Sequence, residues 1–101
     1  MFLTMSQFMI EFDIAEMDDY FMRRIPAQRL KINELMEQGR ILSYSLSADR
    51  AKLWCIMKAE SELEIYEAIA DFPLIKYMTP DITELMFHNV VAARIPLFSL
   101  N

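Results

Sequence analysis

The sequence predicts an α+β domain of the ferredoxin-like βαββαβ type: a four-stranded antiparallel sheet with both helices on one face. Three observations carry this. Four stretches alternate apolar and polar residues with a period of two, and two others repeat apolar residues at helical spacing. Their order is strand–helix–strand–strand–helix–strand, the split βαβ pattern. The chain has 101 residues, 54% hydrophobic and 25% charged, which suits one folded domain and leaves no room for a second.

The elements follow in chain order. Residues 6–14, SQFMIEFDI, alternate cleanly: Phe8, Ile10, Phe12 and Ile14 share one face, and Gln7, Met9, Glu11 and Asp13 the other. That is a strand with one apolar and one mixed side. Residues 18–38 have helical periodicity through Phe21, Ile25, Ile32, Leu35 and Met36. Asp18 and Asp19 suit its start by capping and by the helix dipole. Gly39, the one glycine of the chain, stands where a left-handed terminator belongs. Pro26 interrupts the pattern, because it lacks a backbone donor and crowds the Met22 carbonyl. The sequence allows a kinked helix, or a short turn followed by a helix with Pro26 in its first turn.

Residues 41–47, ILSYSLS, set Leu42, Tyr44 and Leu46 against Ser43, Ser45 and Ser47. Residues 48–50 form a hairpin turn without a glycine, and residues 51–58 form the partner strand. In that strand Leu53, Cys55 and Met57 oppose Lys52, Trp54 and Ile56. Ser61 and Glu64 make a capping box for a second helix running to about Phe72, with Leu63, Tyr66, Ile69 and Ala70 inward. Pro73 is expected to end that helix. DFPLIKYM, residues 71–78, then forms an apolar buttress before a fourth strand at 81–90, where Leu85 and Phe87 oppose Glu84, Met86 and His88.

The apolar strand faces should meet the helices. The opposite face would carry Met9, Glu11, Ser43, Ser45, Trp54, Ile56, Glu84, Met86 and His88, which is too apolar for water and too polar for a plain core. Two such sheets pressed together would make a dimeric α/β barrel with a partly polar interior. The domain is therefore set at residues 1–89. The apolar tail at 90–101 is expected to pack on a neighbouring subunit.

Composition narrows the function classes. Net charge is −5 and the basic residues are scattered, which argues against nucleic-acid and anionic-membrane partners. No run approaches the roughly 18 to 20 apolar residues of a membrane helix, and the start has no basic region of a signal peptide. The chain is expected to be cytoplasmic. One cysteine, Cys55, and one histidine give neither an internal disulfide nor a zinc cluster, so no metal is expected.

DFPLIKYM resembles the segment that follows the second helix in the muconolactone Δ-isomerase family. ELMEQGRI at 34–41, AESELE at 59–64 and His88 near the end of the fourth strand fit the same family. The resemblance covers about residues 8–89. IPAQRLKINELMEQGRIL, residues 25–42, is also similar to the related YCII-type domains. Those carry a histidine after the Pro-Ala pair where this chain has Gln28, and the isomerases carry basic and aromatic residues where this chain has ILSYSLS. The resemblance implies movement of a double bond in an unsaturated lactone with no metal or organic cofactor. A proton leaves a carbon activated by a carbonyl and returns elsewhere, which needs a tuned base and donors for the enolate oxygen. It also implies homodimers that assemble into rings, with pockets near subunit boundaries.

The residues themselves supply candidates for that chemistry. Glu11, mid-strand on the mixed face, is the candidate base, with burial expected to raise its pKa. His88 and Glu84 are candidate proton carriers beside it. Arg24, Gln28, Ser43, Ser45, Trp54 and Tyr77 are candidate contacts for a small-molecule substrate. Two alternatives to the isomerase stand: a non-catalytic binding or assembly barrel, and a cofactor-free oxygenase of the same superfold.

Overall fold

A computed structural model describes residues 5–91. Apart from its first two residues, the tail expected at 90–101 lies outside them. The elements are β1 (Ser6–Ile14), α1 (Asp19–Glu37), β2 (Ile41–Leu46), β3 (Lys52–Ala59), α2 (Glu62–Ile69), a 3-10 turn (Ile75–Tyr77) and β4 (Met78–Leu85). The sheet order is β2-β3-β1-β4 and every pairing is antiparallel. Phe8, Ile10, Phe12, Leu53, Cys55 and Met57 face both helices and form one core with Phe21, Ile32 and Leu35 of α1 and Ile65 and Ile69 of α2. This is the ferredoxin-like arrangement the strand and helix order predicts.

α1 is a single helix with Pro26 inside it. Its two ends are closed by side chain and backbone. Asp18 Oδ1 accepts the Phe21 N–H at 2.9 Å. At the other end Gly39 adopts φ +74°, while the Arg40 N–H reaches the Leu35 carbonyl and the Gly39 N–H the Met36 carbonyl. Those two bonds are a Schellman termination, which the left-handed glycine makes possible.

Three elements differ from the sequence expectation, each for a packing reason. β2 carries a bulge between Ile41 and Ser43, so Ile41 pairs with Met57 and is buried while Leu42 is pushed outward. Ile41 and Tyr44 are three residues apart, and one extra residue is what lets both face the helices. α2 ends at Ile69, before Pro73 can act, and buries Ile65 and Ile69 with Phe72 following at the same helical spacing; Leu63 and Tyr66 point to solvent. The 65/69/72 stripe offers three large apolar side chains, against Leu63, Tyr66 and Ala70 on the rival stripe.

β4 is Met78–Leu85 rather than 81–90. It is an edge strand, where the missing N–H of Pro80 is tolerated, so the proline does not delay the strand. Its register places Glu84 opposite Phe8, Ile82 opposite Ile10 and Pro80 opposite Phe12, all on the helix side. The open face instead receives Thr79, Asp81, Thr83 and Leu85. Met86, Phe87 and His88 lie past the strand, with Met86 and Phe87 largely exposed.

Candidate functional site

α1 lies over the β2–β3 half of the sheet and does not close against it completely. Between them is a cavity of about 500 Å³. Met22, Ile25 and Ile32 of α1, Leu46 and Leu53 of the hairpin, and Leu74 and Met78 make its apolar walls.

Its polar floor is one pair, Gln28 and Tyr44. Gln28 is the buried polar residue among the described residues, at 5% exposure. Its Nε2 donates to Tyr44 Oη at 3.1 Å, and its Oε1 accepts the Leu74 N–H at 3.1 Å. These two bonds fix which end of the amide faces the phenol. They also explain the DFPLIKYM segment, whose backbone supplies the donor that holds Gln28 in place. Burial raises the Tyr44 pKa, opposed by the Gln28 bond, so the hydroxyl stays protonated at neutral pH. Since Tyr44 Oη accepts from Gln28, its own proton can be donated to a ligand oxygen.

The two charged side chains of the lining are Arg29, from α1, and Arg50, from the β2–β3 turn. Arg50 adopts φ +64°, a left-handed backbone that costs a non-glycine residue about 1 kcal/mol. Asp49 holds the turn: its Oδ1 accepts from Ser47 Oγ at 2.7 Å and from the Ala51 N–H at 3.0 Å. Those bonds, Ser47 first, lower the Asp49 pKa. No Asp, Glu or His lines the cavity among the described residues.

The sequence-derived candidates fall in several places. Gln28 is in the cavity. Arg24 is one helical turn before it, half-buried, with its Nε buried and unpartnered, but it is not on the cavity wall. Tyr77 anchors the start of α1: its hydroxyl donates to Asp18 Oδ1 at 2.8 Å and its ring meets Phe21 edge-on at 5.1 Å. Ser43, Ser45 and Trp54 lie on the open face of the sheet, Ser43 opposite Ile56 and Ser45 opposite Trp54.

Glu11 is also on the open face, tied to Lys52 Nζ at 2.9 Å and to Trp54 Nε1 at 3.1 Å. The Lys52 bond first, and the Trp54 bond second, lower its pKa. This reverses the expected upward shift, because an ammonium and an indole N–H stabilise the carboxylate where partial burial alone would not. Asp13 shares Lys52 at 2.6 Å. The carboxylate paired across from Glu11 on β4 is Asp81, not Glu84, which the register sends to the other face. His88 borders a shallow depression with Met5, Gln7, Leu85, Met86 and Phe87. Leu85 pairs with Gln7, four residues from Glu11 along β1, so that depression begins about 13 Å from Glu11. Glu11, Glu84 and His88 therefore do not converge within one protomer.

Tyr44, Arg29 and Arg50 escaped the sequence analysis. Tyr44 alternates like an apolar core residue, and Arg29 sits on an exposed stretch of helix. Arg50 did leave a trace: a hairpin turn without glycine puts some other residue in the left-handed position.

Among the described residues no helix is long and apolar enough to cross a membrane, and no group of three His, Cys, Asp or Glu could hold a metal. The sequence matches the family described as muconolactone delta-isomerase over residues 2–90. No curated protein matches the chain.

Proposed function

The chain belongs to the muconolactone delta-isomerase family, and from that premise we propose that it isomerises a small unsaturated lactone, or a related carbonyl compound, by proton transfer in the cavity between α1 and the sheet. The observation that carries this is the hydrogen-bonded Gln28–Tyr44 pair on the floor of a cavity whose walls are mostly apolar. In such a reaction a proton leaves the carbon next to the conjugated system and its electron pair moves onto the carbonyl oxygen. The resulting dienolate regains a proton at the other end, and the double bond has moved with no net change in atoms. Tyr44 Oη–H and the second Gln28 Nε2–H are donors suited to the developing oxyanion. The mostly apolar walls lower the local polarity and so strengthen those bonds. No cofactor enters this scheme.

The proton acceptor has to come from beyond the described lining. Glu11 is not that acceptor within its own protomer, because it lies on the open face, across the sheet from the cavity. We propose the open sheet face, with Met9, Trp54 and the Glu11–Lys52 pair, as the surface for a homodimer. A monomer in solution scattering at micromolar concentration would contradict that.

A second reading, ligand binding without turnover, is favoured by the lack of a carboxylate or imidazole on the described cavity wall. One experiment separates the two. The protein is incubated in D₂O with five-membered unsaturated lactones, and loss of ring-proton signals is followed by NMR. The isomerase reading predicts exchange above background that falls about 100-fold or more in Tyr44→Phe. Saturable binding without exchange supports the second reading, and neither binding nor exchange refutes both.

A further inference from the structure

We propose that the depression beside His88 is a binding site for a soft monovalent cation, Cu(I) or its analogue Ag(I), held by the thioethers of Met5 and Met86 and the imidazole of His88. It lies where β1 begins and β4 ends, and shares no lining residue with the cavity between α1 and the sheet. The site is therefore independent of the isomerisation proposed above.

Convergence of the three donors is the first support. All three line one depression of about 300 Å³. They come from opposite ends of the described chain, which the sheet brings together: Gln7 of β1 stands opposite Leu85 of β4. Met5 is two residues before Gln7; Met86 and His88 are one and three after Leu85. β4 ends at Leu85 and the chain bends at Met86. The residues past that bend therefore wrap the depression instead of alternating across the sheet.

Donor chemistry is the second support. Thioether sulfur and imidazole nitrogen suit Cu(I), whereas carboxylates and carbonyls suit Mg(II) and Ca(II). No carboxylate or thiol lines the depression among the described residues. Nor do those residues hold the group of three His, Cys, Asp or Glu that a harder metal would call for. The single cysteine and single histidine argue against zinc, but that count leaves thioethers out. Packing does not account for the two methionines either. Met86 is 96% exposed and Met5 43%, so neither side chain is committed to the core. His88 forms no ion pair among the described residues. Two thioethers and a neutral imidazole, each with a lone pair to give, form a trigonal donor set without a counter-charge, which fits a monovalent ion better than a divalent one.

The test is a titration of the full chain with Ag(I) in chloride-free, thiol-free buffer, followed by ¹H–¹³C NMR of the methionine methyl groups and the His88 ring. Ag(I) is the probe because it shares the preference of Cu(I) for sulfur and nitrogen and is stable in air; Cu(I) is then titrated anaerobically. Saturable shifts of Met5, Met86 and His88 are expected, complete with a single equivalent. Met57, two residues from the buried Cys55 thiol and itself fully buried, should stay unmoved and so reports any capture of metal there. Met86→Leu and His88→Ala should each weaken binding at least about tenfold, since even outer partners of a metal site are worth that much. Met86→Leu changes an exposed side chain, so its thermal midpoint should match the parent. Met9→Leu, on the open face but outside the depression, should leave affinity unchanged. No binding, shifts confined to Met57 or spread over all the methionines, or equal weakening by Met9→Leu and Met86→Leu would each overturn the site. Zn(II) or Ca(II) held more tightly than Ag(I) by the same residues would overturn its assignment to a soft cation.

Discussion

Gln28→Leu is the substitution that most sharply separates a functional polar floor from an ordinary core position. Leucine has nearly the same volume, so any effect comes from lost hydrogen bonds. The Leu74 N–H, on a residue only 4% exposed, loses its acceptor. A buried unsatisfied donor costs about 1–3 kcal/mol. Loss of the amide–phenol bond adds about 1 kcal/mol, and the extra apolar surface returns a similar amount. The expected net destabilisation is therefore about 2 kcal/mol. For a domain of this size that lowers the thermal midpoint by about 8–16 °C, measured by circular dichroism. Gln28→Glu is the informative companion, because it keeps an acceptor for the Leu74 N–H. Burial should raise the pKa of the new carboxyl above its unfolded value of about 4.3. Relative to the parent, the variant should then be most stable below about pH 4.3 and lose stability as pH rises toward the folded pKa. A Gln28→Leu protein as stable as the parent would refute the reasoning, since the Leu74 donor would then have to be satisfied without Gln28.

Three further predictions follow from other parts of the molecule. Gly39→Ala should cost about 1 kcal/mol by urea titration, purely through backbone strain at φ +74°, since a Cβ there meets nothing within 4 Å. Cys55 is fully buried and burial pushes its thiol up to about 12, so iodoacetamide at pH 8 should label it only as fast as the domain opens. The carboxylates of Glu11, Asp18 and Asp49 have lowered folded pKa values, held down chiefly by Lys52, the Phe21 N–H and Ser47 respectively. Their contribution is present above the unfolded pKa of about 4 and is lost as pH falls through the folded values. The urea midpoint should drop between about pH 4 and pH 2, with a shallower slope in Asp18→Asn, which can still cap α1 but cannot titrate.

The fold was legible because its strands and helices carry separate periods. The alternation of Phe8, Ile10 and Phe12, the Asp18 cap, the Gly39 terminator and the Ser61 cap each reappear as the geometry they imply, although Glu64 accepts the Glu60 N–H and not the Ser61 N–H of a full capping box. The misplaced pieces have local causes. Pro80 hid the start of β4, because a proline is excluded from a central strand but not from an edge. The pairing register, with Ile82 opposite Ile10, sets Glu84 on the helix side and Asp81 beside Glu11. α2 offers two apolar stripes, and only tertiary packing chooses between them.

The cavity was harder to foresee. Its walls are residues that periodicity assigns to the core, such as Ile25, Tyr44 and Leu53, and incomplete closure between α1 and the hairpin leaves no sequence pattern. Gln28 was legible as a candidate because it stands close to Arg24, near the Pro26 interruption of α1. Its burial and its bond to the DFPLIKYM backbone required the fold.

The central claim is that ligand carbonyl oxygen sits on the Gln28–Tyr44 pair, inside the helix side of the sheet. It is tested most directly by a ¹H–¹⁵N NMR titration of the full chain with an unsaturated five-membered lactone. The account predicts saturable shifts in the Gln28 side-chain amide and the Leu74 N–H, with the Trp54 indole signal unmoved. Shifts confined to Trp54 and the Met9 and Glu11 amides, with Gln28 and Leu74 silent, would place the ligand on the open face and contradict it.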